Sequence, residues 1–239
     1  MATASSKPAE VRRGGACLRP RRASASGGGR LRPYVAGLFV ACLSFLGAAT
    51  LSAQPPNAAL PAAYRADLDH SSVSFTIRHF VTWVPGRFRD FSAIVRYDPQ
   101  TPARSSVEFR VKAASISTDN DDRDAHLRSA DFFDAARFPD LSFASTSVRA
   151  LDATRFEVTG DLSIHGVVRR VTLPATLLGR VATPQGEKIG FETAFSLDRR
   201  DFGLTWNRVL EGAGALLGDE VRVVVSIEAT LDPTSTSPG

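Results

Sequence analysis

From Tyr64 onward, apolar and polar side chains alternate with a period of two, and this pattern limits the fold more than any other feature. In segment 72–79, valine, phenylalanine and isoleucine alternate with serine, threonine and arginine. At least eight such segments follow one another, separated by turn sequences such as DPQTP at 98–102 and TPQG at 183–186. Strict alternation is typical of half-buried β-strands, and short turns favour antiparallel neighbours, in a barrel or a sandwich.

The two faces of these strands differ strongly in polarity. One face carries seven phenylalanines with aliphatic neighbours, whereas the other carries serine, threonine, arginine and glutamate. An apolar sheet face must be covered, and the sequence has no long amphipathic helix to cover it, so the sheet is expected to close on itself. An eight-stranded barrel has room for packed side chains or for one small ligand. The seven phenylalanines are Phe75, Phe91, Phe109, Phe143, Phe156, Phe191 and Phe195.

Two regions interrupt the alternation. Residues 118–134 are helix-like, because Thr118 and Asp121 have the spacing of a capping box and several acids would lie in the first turn. We expect this segment to cover one end of the barrel, with Leu127, Phe132 and Phe133 above its interior. The second region, 198–219, is a long loop that contains Trp206 and the sequence EGAGALLGD; such loops are often functional lids or mobile segments.

The basic charge of the chain is confined to its N-terminal segment. Residues 1–53 contain eight Lys/Arg and one acid, which leaves 21 basic and 24 acidic residues in the remainder. The remainder therefore has a net charge of about −3, although the pI of the whole chain is near 9.5. Because its arginines alternate with acids and form no basic stripe, nucleic acid is not an expected partner.

The N-terminal segment has the form of a targeting sequence. A basic region up to Arg32 is followed by an apolar stretch at 34–53 and by small residues, which predicts a secretory signal peptide. An uncleaved N-terminal membrane anchor is the alternative, because the stretch approaches the length that spans a ~30 Å bilayer core. Both cysteines, Cys17 and Cys42, lie in this segment, so the remaining chain needs no disulfide. The predicted organisation is a signal peptide or anchor at 1–53, a Pro/Ala-rich linker at 54–63, a β-barrel domain at 64–232 and a disordered tail at 233–239.

Five parts of the chain carry distinctive motifs, which are HSSVSFTIRHF followed by GRFRDFSA, then RDAHLRSADFFDAARFPDLSFAST, GDLSIHGVVRRVTLP, DRRDFGLTWN and GDEVRVVVSIEA. In order and spacing they resemble the YceI-like family of bacterial lipid- and polyisoprenoid-binding proteins. The first of these parts is similar to the first hairpin of that family, and the resemblance covers about 64–232. The chain differs in having Ser163 where threonine is common, and in its long basic leader.

The resemblance implies an all-β fold, a lipocalin-like extended antiparallel β-barrel with one short helix and a long loop at the barrel ends. It also implies an interior tunnel for an isoprenoid or fatty-acyl chain. The expected function is an exported binding or carrier protein, periplasmic or secreted (or membrane-anchored and facing the periplasm), that holds a polyisoprenoid, quinone or fatty-acyl chain without catalysis, cofactor or metal. Further expectations are an encounter with a membrane surface and a homodimer formed through an open barrel edge. The candidate ligand contacts are Phe75, Ile77, Phe91, Phe109, Phe132, Phe133, Phe143, Leu162, Phe195 and Trp206.

Other kinds of chemistry find little support in the sequence. Three histidines, His79, His126 and His165, fall on different elements without the spacing of a zinc site. The run DNDDRD at 119–124 lacks the glycine and glutamate of a calcium loop, and neither a G-x-S-x-G elbow nor a phosphate loop is present. Two alternatives stay open: an enzyme that acts on a bound lipid or quinone through His126 or His165 and a nearby aspartate, and a scaffold with a filled core.

Overall fold

The structure is a computed structural model and describes residues 60–210 and 214–236. The predicted signal peptide and most of the predicted linker lie outside the described residues, as do residues 237–239. The strands and the α-helix in these ranges are β1 (Ala62–Ala66), β2 (Ser72–His79), β3 (Thr82–Phe88), β4 (Phe91–Tyr97), β5 (Ser106–Lys112), β6 (Ile116–Ser117), α1 (Asp121–Arg128), β7 (Asp140–Ala150), β8 (Arg155–Ile164), β9 (Val167–Thr183), β10 (Gly186–Asp198), β11 (Val209–Leu210), β12 (Gly214–Ala215) and β13 (Leu217–Leu231).

The strands form one closed antiparallel barrel. Hydrogen-bonded neighbours follow the order β1, β4, β5, β7, β8, β9, β10 and β13, and β13 pairs back with β1. The first half of β13 pairs with β2, which pairs with β3, which in turn meets β6. Three long strands of the barrel are interrupted, namely β1 with β2, β3 with β4, and β5 with β6. Together with β7, β8, β9, β10 and β13 they make an eight-stranded barrel. The predicted antiparallel barrel with one short helix is confirmed.

The residues that alternate in the sequence point alternately to the inner and the outer face of the barrel wall. In β8, alternate residues from Phe156 to Ile164 are buried and the residues between them are more exposed. Burial of one such large apolar side chain is worth roughly 1.5–3 kcal/mol, so strand register is fixed by the apolar face. The turn from β8 to β9 contains only His165 and Gly166, with φ of 51° and 75°, as a type I′ hairpin requires.

One end of the barrel, called the lid end below, carries both segments that interrupt the alternation. Helix α1 contacts β6 there, and the segment between β10 and β13 lies beside it. The sequence predicted a long loop for that segment, but the segment also contains regular secondary structure, which is a 3₁₀ turn at Arg199–Phe202 and the short β11–β12 hairpin. At the opposite end, the chain enters β1 at Ala62 and leaves β13 for a 3₁₀ turn at Pro233–Thr236. The predicted disordered tail at 233–239 stays a prediction.

Helix α1 begins differently from the prediction. Asn120 is the N-cap, and its side chain accepts a hydrogen bond from Arg123 N at 2.9 Å. The predicted capping box between Thr118 and Asp121 is wrong, because the Thr118 hydroxyl donates instead to the buried carboxylate of Asp124. The acids of the first turn nevertheless lie where the helix dipole favours negative charge.

Strand β3 has one open edge. Residues 82–86 pair with β2, and β3 meets β6 only at Arg87 and Phe88. In the part of the chain that the structure describes, no strand pairs with the other edge of 82–86. Pro85 lies in this edge and lacks an amide hydrogen, which weakens it as a template for another strand. The expected homodimer stays a prediction, and this is the edge to which it applies.

Candidate functional site

The barrel encloses an apolar cavity of about 470 Å³. Inward-facing side chains from β2, β4, β5, β7, β8, β9, β10 and β13 line it, and side chains from α1 and the segment 199–217 cover one end. This volume lies within the range of about 300–1,000 Å³ that is typical of small-molecule pockets. The interior therefore holds more space than the barrel's own side chains fill.

Nine of the ten candidate ligand contacts line this cavity. They come from seven separate parts of the chain, and the closure of the barrel brings them together. Whether they touch a ligand stays a prediction. The nine are Phe75, Ile77, Phe109, Phe132, Phe133, Phe143, Leu162, Phe195 and Trp206.

Phe91 is the exception. It is buried but does not line the cavity, and its ring packs against that of Phe109 with the ring centroids 6.0 Å apart. Phe91 is the first residue of β4 and follows the bend at 89–90 between β3 and β4. Alternation assigned it correctly to the buried face, and its neighbour Phe109 lines the cavity where Phe91 does not.

The candidate set omitted an aromatic cluster at the end opposite the lid. The ring of Tyr97 packs edge-on against Phe156 and Phe191, with centroid distances of 6.1 and 5.7 Å, and all three line the cavity. Each residue sits at an inward position of the period-two pattern, so the alternation signal was available for all of them. These rings narrow the cavity at the end opposite the lid.

Three rings, those of His126, Phe132 and Trp206, meet over the lid end. The His126 ring lies edge-on to Phe132 and to Trp206, with centroid distances of 5.1 and 4.9 Å, and Phe132 and Trp206 are 5.0 Å apart. Phe133 packs edge-on against Phe88 of β3 at 5.8 Å. This cluster joins the helical segment to the loop of Trp206, and it agrees with the prediction that Phe132 and Phe133 cover the interior.

A buried carboxylate anchors α1 below this cluster. Asp124 is 3% exposed and accepts hydrogen bonds from Thr118 N at 2.8 Å and from Thr118 Oγ1 at 2.5 Å. Arg123 Nε donates to the same hydroxyl at 2.7 Å, and its Nη2 donates to the Thr118 carbonyl. This network therefore ties the first turn of α1 to Thr118, which directly follows β6.

Arg199 holds the other half of the lid. Its guanidinium is 3% exposed and donates to the carbonyls of Leu204, Trp206 and Gly218 and to the Asp219 carboxylate. Burial lowers the pKa of Arg199, while the charge of Asp219 opposes the shift. The side chain therefore acts as a clamp that fixes the backbone of the Trp206 loop against the start of β13.

Opposite the lid, a hydrogen-bonded group links side chains of β1, β9 and β10. Tyr64 Oη donates to Glu187 Oε1 at 2.6 Å, and Arg180 Nη2 donates to the same oxygen at 2.7 Å. Burial and the neighbouring Glu187 raise the pKa of Tyr64 to about 12. The Tyr64 and Arg180 hydrogen bonds lower the pKa of Glu187, which keeps it charged at neutral pH.

The histidines form no metal site with one another. His126 Nε2 lies 2.9 Å from Asp131 Oδ2, and His165 packs in its turn against Phe138. Among the described residues, one group has three possible metal ligands within reach of each other. It consists of Asp67, His70 and Glu228, at the end opposite the lid. The Lys188 ammonium already binds two carboxylates there, at 2.6 Å from Glu228 and 3.3 Å from Asp67, so the positive charge of Lys188 balances part of their negative charge.

Within 60–210 and 214–236, no helix is both long and apolar enough to span a membrane.

Known proteins share this barrel. Protein YceI of Escherichia coli is 35% identical over 176 residues, which cover 72% of this chain and 88% of that protein. The crystal structure of Burkholderia cenocepacia BcnA matches with a TM-score of 0.62 and 26% identity, and the match covers 69% of this chain and 99% of that one. A polyisoprenoid-binding domain from Saccharophagus degradans, implicated in plant cell wall breakdown, matches with a TM-score of 0.53 and 16% identity over 72% of this chain and 99% of that domain. At that identity the likeness shows the fold alone.

The family model gives the same result over most of the barrel. The model of the YceI-like domain matches residues 64–229, which run from β1 almost to the end of β13. The match includes the helical lid segment, the Trp206 loop and both ends of the closed sheet. The resemblance inferred from the sequence motifs is confirmed, and the chain belongs to the YceI-like domain family.

Proposed function

We propose that the protein is an exported, non-catalytic binding or carrier protein that holds a polyisoprenoid, quinone or fatty-acyl chain in its barrel. The observation that carries the proposal is the apolar cavity of about 470 Å³ inside the barrel. Membership in the YceI-like family and the fold shared with a polyisoprenoid-binding domain support it.

The cavity walls favour a long apolar ligand over a polar one. Each buried methylene group contributes ~0.8 kcal/mol, so about ten of them give roughly 8 kcal/mol, which corresponds to a micromolar Kd before ordering costs. Because an apolar pocket discriminates one methylene by only ~1–3 kcal/mol, we expect selection by chain length and headgroup to be broad.

Export is the part of the proposal that the N-terminal sequence supports. The basic and apolar pattern of residues 1–53 matches a signal peptide, and residues 54–239 contain no cysteine. Fractionation of cells that express the full chain, followed by N-terminal sequencing of the mature protein, tests this. A cytoplasmic, unprocessed product would contradict it.

Exposed apolar side chains at the lid end support an encounter with a membrane. Val81, at the tip of the β2–β3 hairpin, is 94% exposed, and Val209 in β11 is 75% exposed. Trp83 lies on the same hairpin under the Arg222 guanidinium, 3.9 Å from its ring centroid. Co-sedimentation with lipid vesicles should weaken when Val81 and Val209 are both changed to Asp, and unchanged co-sedimentation would contradict this part.

An enzyme that acts on the bound lipid or quinone is the second candidate. The observation that favours it is the hydrogen-bonded His126–Asp131 pair at the edge of the cavity, since such a pair can exchange a proton with a ligand. Purified protein should leave a bound isoprenoid chemically unchanged if the carrier proposal is correct. Turnover that is lost in His126→Ala would favour the enzyme.

Native mass spectrometry of protein purified without detergent tests the proposal directly. We expect an intact co-purified lipid, released and identified by fragmentation. Ala175→Phe, whose new ring would enter the cavity, should reduce the bound fraction, because Ala175 lines that space. Ala194→Phe is the matched control, because Ala194 is exposed on the outer face of β10. Equal lipid content in the two variants, or none in the parent protein, would contradict a cavity-bound chain.

A further inference from the structure

The hydrogen-bonded wall is interrupted on one flank of the barrel, between β9 and β10. The ladder of these two strands ends at Glu192, which is opposite Thr176. Beyond that point, β10 continues to Asp198 paired only with β13, and residues 167–175 of β9 pair only with β8. Over this stretch, towards the lid end, two strands that are neighbours in the barrel face each other without a ladder.

Pro174 explains why the ladder stops there. Along an antiparallel strand, successive N–H groups point alternately to one neighbour and to the other. Leu177 N donates to the Thr154 carbonyl next to β8, at 2.7 Å, so the backbone nitrogens of Thr176 and residue 174 face β10. Proline has no amide hydrogen, so the hydrogen bond that residue 174 would donate to β10 in the next rung cannot form.

The wall beneath this gap is one side chain thick. A groove on the outer surface lies over the gap between β9 and β10. Five of the residues that line this groove also line the central cavity, so the same side chains separate ligand space from solvent. These residues are Leu162, Leu173, Phe195, Leu197 and Phe202.

Phe202 is placed to act as the movable part of this wall. It is 3% exposed and ends the 3₁₀ turn Arg199–Phe202, which contacts both β9 and β10. Arg169 Nε of β9 donates to the Asp201 carbonyl at 3.0 Å, which holds the turn over the gap. Gly203 follows with φ of 78°, a backbone conformation that glycine adopts without strain.

Thr193 is the first residue of β10 beyond the ladder, and it lines the central cavity. The Thr193 hydroxyl oxygen is buried and has no hydrogen-bond partner among the described residues. Separation of β9 from β10 at this place breaks no strand ladder. Opening the lid would instead require the four carbonyl and carboxylate contacts of Arg199 to break.

We propose that the apolar ligand enters and leaves the cavity sideways, through the gap between β9 and β10, with Phe202 as its plug. This inference rests on the proposed function, because it names the route to the same cavity. The gap between residues 167–175 and 193–198 is called the β9–β10 portal below.

Cross-linking of the portal tests the route. In the full chain with Cys17→Ser and Cys42→Ser, cysteines are placed at Thr172 and Ser196, two exposed residues that line the outer groove from opposite strands. A short bismaleimide bridges them, and mass spectrometry confirms the bridge. Stopped-flow fluorescence then measures the binding and release of cis-parinaric acid. We expect bridging to slow association about tenfold or more, which is a rise of ~1.4 kcal/mol in the barrier.

The control places cysteines at Ala194 and Val224, which face each other across the intact β10–β13 ladder. Bridging this pair should leave both rates unchanged. A second variant, Phe202→Leu, should raise association and release rates together by several-fold while Kd changes little. Unchanged rates in the bridged portal protein, or in Phe202→Leu, would overturn the portal while binding itself persists. Failure of the parent protein to bind the probe would instead overturn the proposed function and the portal with it.

Discussion

Gly160 is expected to hold the cavity wall in place, and its replacement by alanine provides a quantitative test. A Cβ atom at residue 160 would lie 2.5 Å from the Ala144 carbonyl oxygen and 2.6 Å from Phe143 Cζ. Real Cβ atoms essentially never come within 3.0 Å of a neighbour. The carbonyl belongs to the backbone of β7 and cannot swing aside, so β7 and β8 must separate or the Phe143 ring must move. Overpacking of this kind costs about 1–3 kcal/mol.

A smaller effect acts in the opposite direction. Alanine restricts the unfolded chain more than glycine does, which stabilises the folded state by about 0.4–1 kcal/mol where the backbone accepts it. The net expectation for Gly160→Ala is a loss of roughly 1–2 kcal/mol in the free energy of unfolding. With a urea dependence of about 2 kcal/mol per molar, the unfolding midpoint should fall by roughly 0.5–1 M.

Gly179 of β9 provides the matched control, because a Cβ atom there would meet nothing within 4 Å. Gly179→Ala should therefore be as stable as the parent protein or slightly more stable. Native mass spectrometry adds a second measurement, since a displaced Phe143 ring should reduce the amount of bound lipid. Equal urea midpoints for the two alanine variants would refute the argument that Gly160 sets the position of the Phe143 ring.

Three further predictions concern the Tyr64–Glu187 hydrogen bond, the phenylalanines of the lid and the alternative of an enzyme that uses His126. Tyr64→Phe removes a hydrogen bond to the charged Glu187 and should cost about 1–2 kcal/mol at neutral pH, measured by urea unfolding. Because the pKa of Glu187 is lowered from 4.5, this difference should shrink as pH falls below 4.5. Because the pKa of Tyr64 is raised from 10.0 to about 12, the parent protein should also lose stability as pH rises through that interval, and Tyr64→Phe should lack that loss. Replacement of both Phe132 and Phe133 by alanine should reduce lipid retention after purification, and unchanged retention would remove them as ligand contacts. His126→Ala should leave the bound lipid chemically identical to that of the parent protein, as judged by fragmentation spectra.

Sequence patterns were sufficient to predict the antiparallel barrel because the alternation can be read strand by strand, while the apolar faces that it reveals must all be buried together. Each strand has one apolar face, and closure buries all of them at once. The breaks within the wall strands were not predictable in the same way. The bend at Arg89–Asp90, for example, shifts the alternation by one position, because Phe88 and Phe91 are both buried although they are three residues apart. The sequence alone does not distinguish such a shift within a strand from a turn between two strands.

The alternation predicted which side chains face the interior of the barrel, but it did not predict which of them line the cavity. Phe91 and Phe109 are both on the apolar face, yet only Phe109 lines the cavity. The alternation contains no information on how two neighbouring rings pack, so it could not separate these two residues. Arg199 was missed for the opposite reason. An arginine in a loop is normally solvated, and its burial here depends on carbonyls from residues that are distant in sequence, such as Gly218.

The two ends of the β9–β10 pair differ in a manner that suits a portal. Near Gly186 the strands are joined by a tight turn and a continuous ladder, and the hydrogen bonds of Tyr64 and Arg180 to Glu187 brace that end. Towards the lid end, Pro174 cannot donate a hydrogen bond to β10, and the two strands have no ladder beyond Glu192. A strand pair that is fixed at one end and unbonded at the other can separate by bending without loss of its ladder. The proline at residue 174 therefore favours a barrel that keeps both a stable wall and a route to its interior.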